Sequence, residues 1–120
     1  MPKILSADDS TSIRQMVEFT LKGAGYDIEQ AEDGKQAFEM AKSGEYDLIL
    51  SDVNMPNMDG ISLVTELRKI EKYKYTPILL LTTESAKELK LKGKEAGATG
   101  WIVKPFNPSQ LIETVKRVLG

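Results

Sequence analysis

Four short stretches carry side chains that could do chemistry together: Asp8-Asp9, Asp52, Thr82-Thr83 and Lys104. Carboxylates offer oxygen ligands to a hard cation, or act as nucleophiles toward an electrophile. A hydroxyl and an ammonium can hold an anion. The chain has no His and no Cys, so it lacks an imidazole base, a thiolate nucleophile, a thiolate zinc site and a disulfide. Any group transferred to it must come from another molecule. Taken singly, each stretch has an ordinary reading. Asp8-Asp9 can cap a helix, Asp52 can open a turn, and Thr82-Thr83 can cap the next helix. Lys104 can precede a proline on a solvated rim, and Trp101 can be a packing residue. Only a fold that gathers them in one place makes them a site.

The pattern of elements supplies that fold. The run DLILSD from Asp47 to Asp52 is too short for a free-standing helix and stops at a turn rich in Asn, Pro and Gly; it reads as a buried strand delivering Asp52 to a loop. Ile4 to Ala7 is a short strand candidate running into Asp8-Asp9-Ser10, where a helix with Ile13, Val17, Leu21 and Ala24 on one face begins. Acidic residues suit such a start, because they offset the positive end of the helix dipole. Tyr26 to Ala31 alternates apolar and polar residues like a strand with one wet side, hence an edge. Asp33-Gly34 turns into a second helix with Ala37, Phe38 and Ala41. A third opens near Asp59-Gly60 and is predicted to bury Ile61, Val64, Leu67 and Ile70.

Ile78 to Leu81 reads as a strand covered on both faces and ending at Thr82-Thr83. A fourth helix is predicted over residues 85–96, lysine-rich and loosely packed, followed by a last strand from Trp101 to Lys104. Asn107-Pro108-Ser109-Gln110 combines an N-cap, a proline at the first helical position and a Gln three residues after the cap. Leu111, Ile112, Val115, Val118 and Leu119 form the stripe of the final helix. Five strands alternating with five helices give a doubly wound α/β parallel sheet, since right-handed crossovers return each strand in the same direction. All carboxyl ends then share one rim, which receives Asp8-Asp9, Glu32-Asp33, Asp52, Thr82-Thr83 and Lys104, with Asp8, Asp9 and Asp52 converging.

At 120 residues a single domain spanning 1–120 is expected, with no linker, repeat or low-complexity tract. Sixteen basic against 18 acidic residues leave a net charge of −2, which argues against nucleic acid or an anionic membrane as a bulk-charge partner. No apolar segment approaches the roughly 20 residues of a bilayer span, and a cytoplasmic location is expected.

Asp8-Asp9-Ser10, the stretch DVNMPNMDG from Asp52 to Gly60, Thr82-Thr83-Glu84 and WIVKPF from Trp101 to Phe106 together resemble the receiver domain of two-component response regulators. The stand-alone chemotaxis regulators are the nearest in kind. The resemblance covers the whole chain and implies a flavodoxin-like sheet of order 2-1-3-4-5, the order that also follows if the wet-sided second strand is the edge. It implies phosphorylation of Asp52, with Asp8, Asp9, Asp52 and the backbone carbonyl of Asn54 around Mg²⁺. Two carboxylates about 4 Å apart repel by roughly 4 kcal/mol at an effective dielectric near 20, so three on one rim need a cation. Oxygen-only ligation suits Mg²⁺. By the same resemblance Thr82 and Lys104 bind the phosphoryl group, and Thr82 and Trp101 form a switch pair. Asn54 and Glu84 tune dephosphorylation, and Lys87, Lys90, Lys94 and Trp101 lie on the partner face.

The partners so implied are a chemotaxis-type sensor histidine kinase, the flagellar motor switch protein and a phosphatase, with the chain acting as a monomer. A sink that drains phosphate from a shared kinase is the alternative output. Beyond its own phosphoryl acceptance and autodephosphorylation the chain is not expected to be an enzyme. A haloacid-dehalogenase-type phosphohydrolase would need a second Asp two residues after its nucleophile, where this chain has Asn54. A flavodoxin-like flavin binder would need hydroxyls and free amides where Asp8-Asp9-Ser10 is acidic. Three features depart from the common receiver pattern: Ser6-Ala7 stands where larger apolar strand residues are usual, Thr83 where a smaller residue is, and Trp101 where Tyr or Phe is more usual.

Overall fold

In the computed structural model, which describes residues 1–83 and 87–119, five parallel strands alternate with five helices. They are β1 (Lys3–Ala7), α1 (Thr11–Gly23), β2 (Asp27–Ala31), α2 (Gly34–Ser43), β3 (Leu48–Asp52), α3 (Gly60–Leu67), β4 (Ile78–Thr82), α4 (Lys87–Ala96), β5 (Gly100–Val103) and α5 (Pro108–Leu119). The strand order is β2-β1-β3-β4-β5, as expected. Side chains alternate across each strand, and this sorts the core into two layers. Leu5, Ile49, Ile78 and Leu80 face Ala37, Leu63, Val64 and Leu67 of α2 and α3. Ile4, Leu48, Leu50, Leu79 and Leu81 face Val17, Leu21, Leu111 and Val115 of α1 and α5. Every residue of β3 and β4 is buried, which is why these two read as near-continuous apolar runs.

Local signals hold at several termini. Asn107 Oδ1 accepts the Gln110 N–H at 2.8 Å, while Gln110 Oε1 accepts the Asn107 N–H at 3.0 Å, the reciprocal cap read from the sequence. The sparse apolar content of α4 leaves Gly93 as its buried residue. Among the described residues no helix is long and apolar enough to cross a membrane. Residues 84–86, including Glu84 and the predicted start of the fourth helix at Ser85, lie outside the described residues.

Three expectations need correction. The first helix begins at Thr11 with Ser10 as its N-cap and no acidic residue in its first turn, because Asp8 is drawn inward to the sheet rim. In α3 the buried residues are Gly60, Leu63, Val64 and Leu67; Ile61 and Ile70 are only half-buried, and Ile70 lies beyond the helix. A Cβ on Gly60 would lie 2.2 Å from the Asp52 carbonyl oxygen. That close approach turns the Leu63–Val64–Leu67 face to the sheet and leaves Ile61 at its margin. The last strand ends at Val103, so Lys104 stands just past it.

Arg68 holds together the segment between α3 and β4. Its Nε donates to the Gly97 carbonyl at 3.0 Å and its Nη1 to the carbonyls of Tyr73 and Thr76, both at 2.6 Å. This fork ties residues 73–76 to the turn after α4. A lysine cannot reproduce it, so Arg68→Lys is expected to cost about 2 kcal/mol, read as a lower midpoint in urea. A midpoint equal to wild type would show that the fork contributes nothing net.

Candidate functional site at the carboxyl rim of the sheet

Strand register does the gathering. Ala7 is paired with Ser51, Asp52 with Leu81, and Thr82 with Val103, so the residues that follow or end these strands are neighbours. Asp8 follows β1 and is 1% exposed. Its Oδ1 accepts the Ser10 N–H at 2.9 Å, and its Oδ2 lies 2.8 Å from Lys104 Nζ. Asp52 closes β3, buried, with Oδ1 at 3.3 Å from the same ammonium. Asp9 is exposed. Each of the three carboxylates offers one oxygen within 4.8 Å of the others.

Like charges this close repel by roughly 3 kcal/mol per pair at an effective dielectric near 20. Three carboxylates against one ammonium leave two negative charges. Burial, and then the Asp8 carboxylate, push the Asp52 carboxyl above its ordinary range, and Lys104 opposes both. A divalent ion with a taste for oxygen fits this set in charge and in donor type.

Thr82 ends β4 and is buried; its carbonyl accepts the Lys104 N–H at 2.7 Å, which fixes where the lysine leaves the sheet. The Lys104–Pro105 peptide is cis. Trp101 is paired with Leu80, two residues before Thr82, so Trp101 and Thr82 share a sheet face. The ring is half-buried against the α2–α3 core layer, with Lys90 Nζ 5.2 Å from its centroid. Lys87 and Lys94 are exposed on α4, as is the apolar Leu91 between them, and Val103 at the end of β5 is also exposed. Asn54 is exposed in the loop after β3.

One contributor went unread in the sequence. Arg14 Nη1 donates to the Asp8 carbonyl at 2.7 Å, and the Arg14 carbonyl accepts from Gln30 Nε2 at 2.8 Å. This cross-link from α1 and β2 holds the acidic turn. Its one clue was a basic residue close to the positive end of a helix, where the dipole disfavours it unless a partner compensates.

Residues 4–116 match the response regulator receiver domain model. The chain belongs to that receiver domain family. It is a phosphorylation-activated receiver of the CheY-like kind, a signalling protein and not an enzyme in the ordinary sense. Chemotaxis protein CheY-3 of Vibrio cholerae serotype O1 is 37% identical over 117 residues, covering 97% of this receiver and 90% of that protein. The transcriptional regulatory protein SrrA of Staphylococcus aureus is 38% identical, over 98% of this receiver but 47% of SrrA. Among solved structures, the chemotaxis response regulator CheY4 of Vibrio cholerae superposes with a TM-score of 0.95 at 54% identity, covering 98% of each chain. The receiver domain of the sensor histidine kinase PA1611 from Pseudomonas aeruginosa, with magnesium in its active site cleft, gives 0.92 at 30% identity, covering 99% of this receiver and 98% of that one.

Proposed function

We propose that this single receiver unit takes a phosphoryl group onto Asp52 from a sensor histidine kinase of a chemotaxis pathway, with Mg²⁺ held by Asp8, Asp9, Asp52 and the Asn54 carbonyl. The observation that carries this reading is a buried carboxylate at the centre of the rim, flanked by two further carboxylates and met by one lysine. A carboxylate oxygen of Asp52 attacks phosphorus, the bond from phosphorus to the donor breaks, and the donor leaves with that electron pair. The product is an acyl phosphate. Charge on the peripheral oxygens of the transferred group must be neutralised in place. Lys104 supplies a cation and the Thr82 hydroxyl a donor; bound Mg²⁺ supplies further charge neutralisation. No proton need be moved, in keeping with a site without histidine.

Incubation with a small acyl-phosphate donor and Mg²⁺, followed by peptide mapping, tests this. The added mass is expected on the peptide carrying Asp52, and its absence there would overturn the reading. Metal that binds only the folded form should raise the melting temperature, and Asp9→Ala is expected to abolish that rise. An undiminished rise would remove Asp9 from the metal site.

The output follows from the shared face of Thr82 and Trp101. Movement of the threonine hydroxyl toward a phosphoryl group changes the room available to the indole, and with it the surface that Lys87, Lys90 and Lys94 present to a partner. That partner is the flagellar motor switch protein. Retention on immobilised motor switch protein should increase with a beryllium fluoride mimic of the phosphoryl group; equal retention in both states would reject motor output.

A further inference from the structure

Residues 53–59, the loop that carries Asn54 away from β3, are held at both ends and in the middle. At the ends, the Gly60 N–H donates to the Val53 carbonyl at 2.8 Å, and the Asp59 side chain caps α3 through the Ser62 N–H at 2.7 Å. The middle is held by a different element. Asn57 adopts a left-handed φ of 68°, a conformation asparagine tolerates better than most residues. Its Nδ2 then donates to Asp33 Oδ2 at 2.9 Å.

The other oxygen of that carboxylate, Oδ1, accepts the Gln36 N–H at 2.7 Å as the N-cap of α2. Beside this bridge, a Cβ on Gly34 would fall 2.0 Å from the Met58 carbonyl oxygen. Only glycine lets α2 approach the loop so closely. Both amides hold the Asp33 carboxyl below its ordinary range, in keeping with an ionised acceptor shared between helix and loop.

A backbone carbonyl ligates a metal more tightly when its loop is already in place, and groups that orient ligands are worth roughly ten- to a hundredfold in metal affinity. We propose that Asp33, Gly34 and Asn57 are positioning residues that clamp the Asn54 arm of the metal site, so that metal binding and the first turn of α2 stabilise each other. This rests on the metal reading above. Coupling of this kind is reciprocal: metal should steady α2, and loss of the clamp should weaken metal.

Calorimetric titration with Mg²⁺ of the whole chain, of Asn57→Gly, of Asp33→Ser and of the double variant tests it. Asn57→Gly permits the left-handed backbone while removing the side chain that makes the bridge; Asp33→Ser keeps a cap for α2 but offers no second oxygen to the loop. Each single change is expected to raise the Kd for Mg²⁺ by about three- to tenfold, the double variant no further. In hydrogen exchange, the Gln36 and Ala37 amides should slow with Mg²⁺ in the wild type and respond less in Asn57→Gly. Wild-type affinity in both single variants, or independent effects that multiply in the double variant, would overturn the clamp. Failure of the wild type itself to bind Mg²⁺ would instead sink the metal reading, and this inference with it.

Discussion

Asp52→Asn should be inactive and at the same time more stable than the wild type. On the proposed reading of Asp52 as the acceptor, its loss is expected to reduce phosphoryl incorporation from a small acyl-phosphate donor by at least about a thousandfold. The gain in stability has a separate cause. Asp52 is a buried carboxylate sharing the rim with Asp8 and Asp9, and asparagine keeps its shape without its charge. Lys104 keeps its 2.8 Å contact with Asp8. In metal-free buffer at neutral pH the expected gain is about 1 kcal/mol, or roughly 4 °C in Tm.

The sign of its pH dependence follows from the raised carboxyl of Asp52. A folded-state pKa above the unfolded value means that the ionised group destabilises the fold above that pKa, and that the deficit is relieved as pH falls through it. The advantage of Asp52→Asn should therefore shrink in acid. Thermal melts of both proteins along a pH series check this; an advantage that grew on acidification would contradict the charge argument.

The opposite change should follow from Lys104→Met. That side chain is 12% exposed and meets two buried carboxylates, so its removal leaves Asp8 and Asp52 facing each other without an ammonium. Breaking a buried pair by deleting one partner typically costs about 3–5 kcal/mol. Partial exposure of the lysine and the surviving Ser10 N–H on Asp8 reduce this to about 2–3 kcal/mol, roughly 8–12 °C in Tm. Mg²⁺ should recover more stability in Lys104→Met than in the wild type, because it then supplies the only cation of the constellation, while phosphoryl acceptance stays depressed. Melting curves with and without Mg²⁺ separate the two effects. An equal rise in both proteins would mean that lysine and metal do not answer the same charge.

Much of the molecule was legible one element at a time. Period-two and helical spacing, the reciprocal cap at Asn107 and Gln110, and the buried runs of β3 and β4 are local properties of the chain. They were enough for a doubly wound parallel sheet and for the conclusion that Asp8, Asp9, Asp52, Thr82 and Lys104 share a rim. The absence of His and Cys removed imidazole and thiolate chemistry from that rim, whatever the fold.

What only the tertiary structure decided depends on contacts between distant residues. Asp8 could be read as a helix-start residue because its neighbours in sequence favour that role; it turns inward because Lys104, 96 residues away, meets it at the rim. The Leu63 face of α3 is buried because Gly60 touches the end of β3, a rotation that Ile61 and Ile70 in sequence could not reveal. Arg68 and the Asp33–Asn57 bridge are ordinary polar residues until register and loop closure bring carbonyls and amides within reach. Spacing along the chain determines which side chains share a face, but a hydrogen bond needs direction and distance to within a few tenths of an ångström, and only the assembled layers supply those.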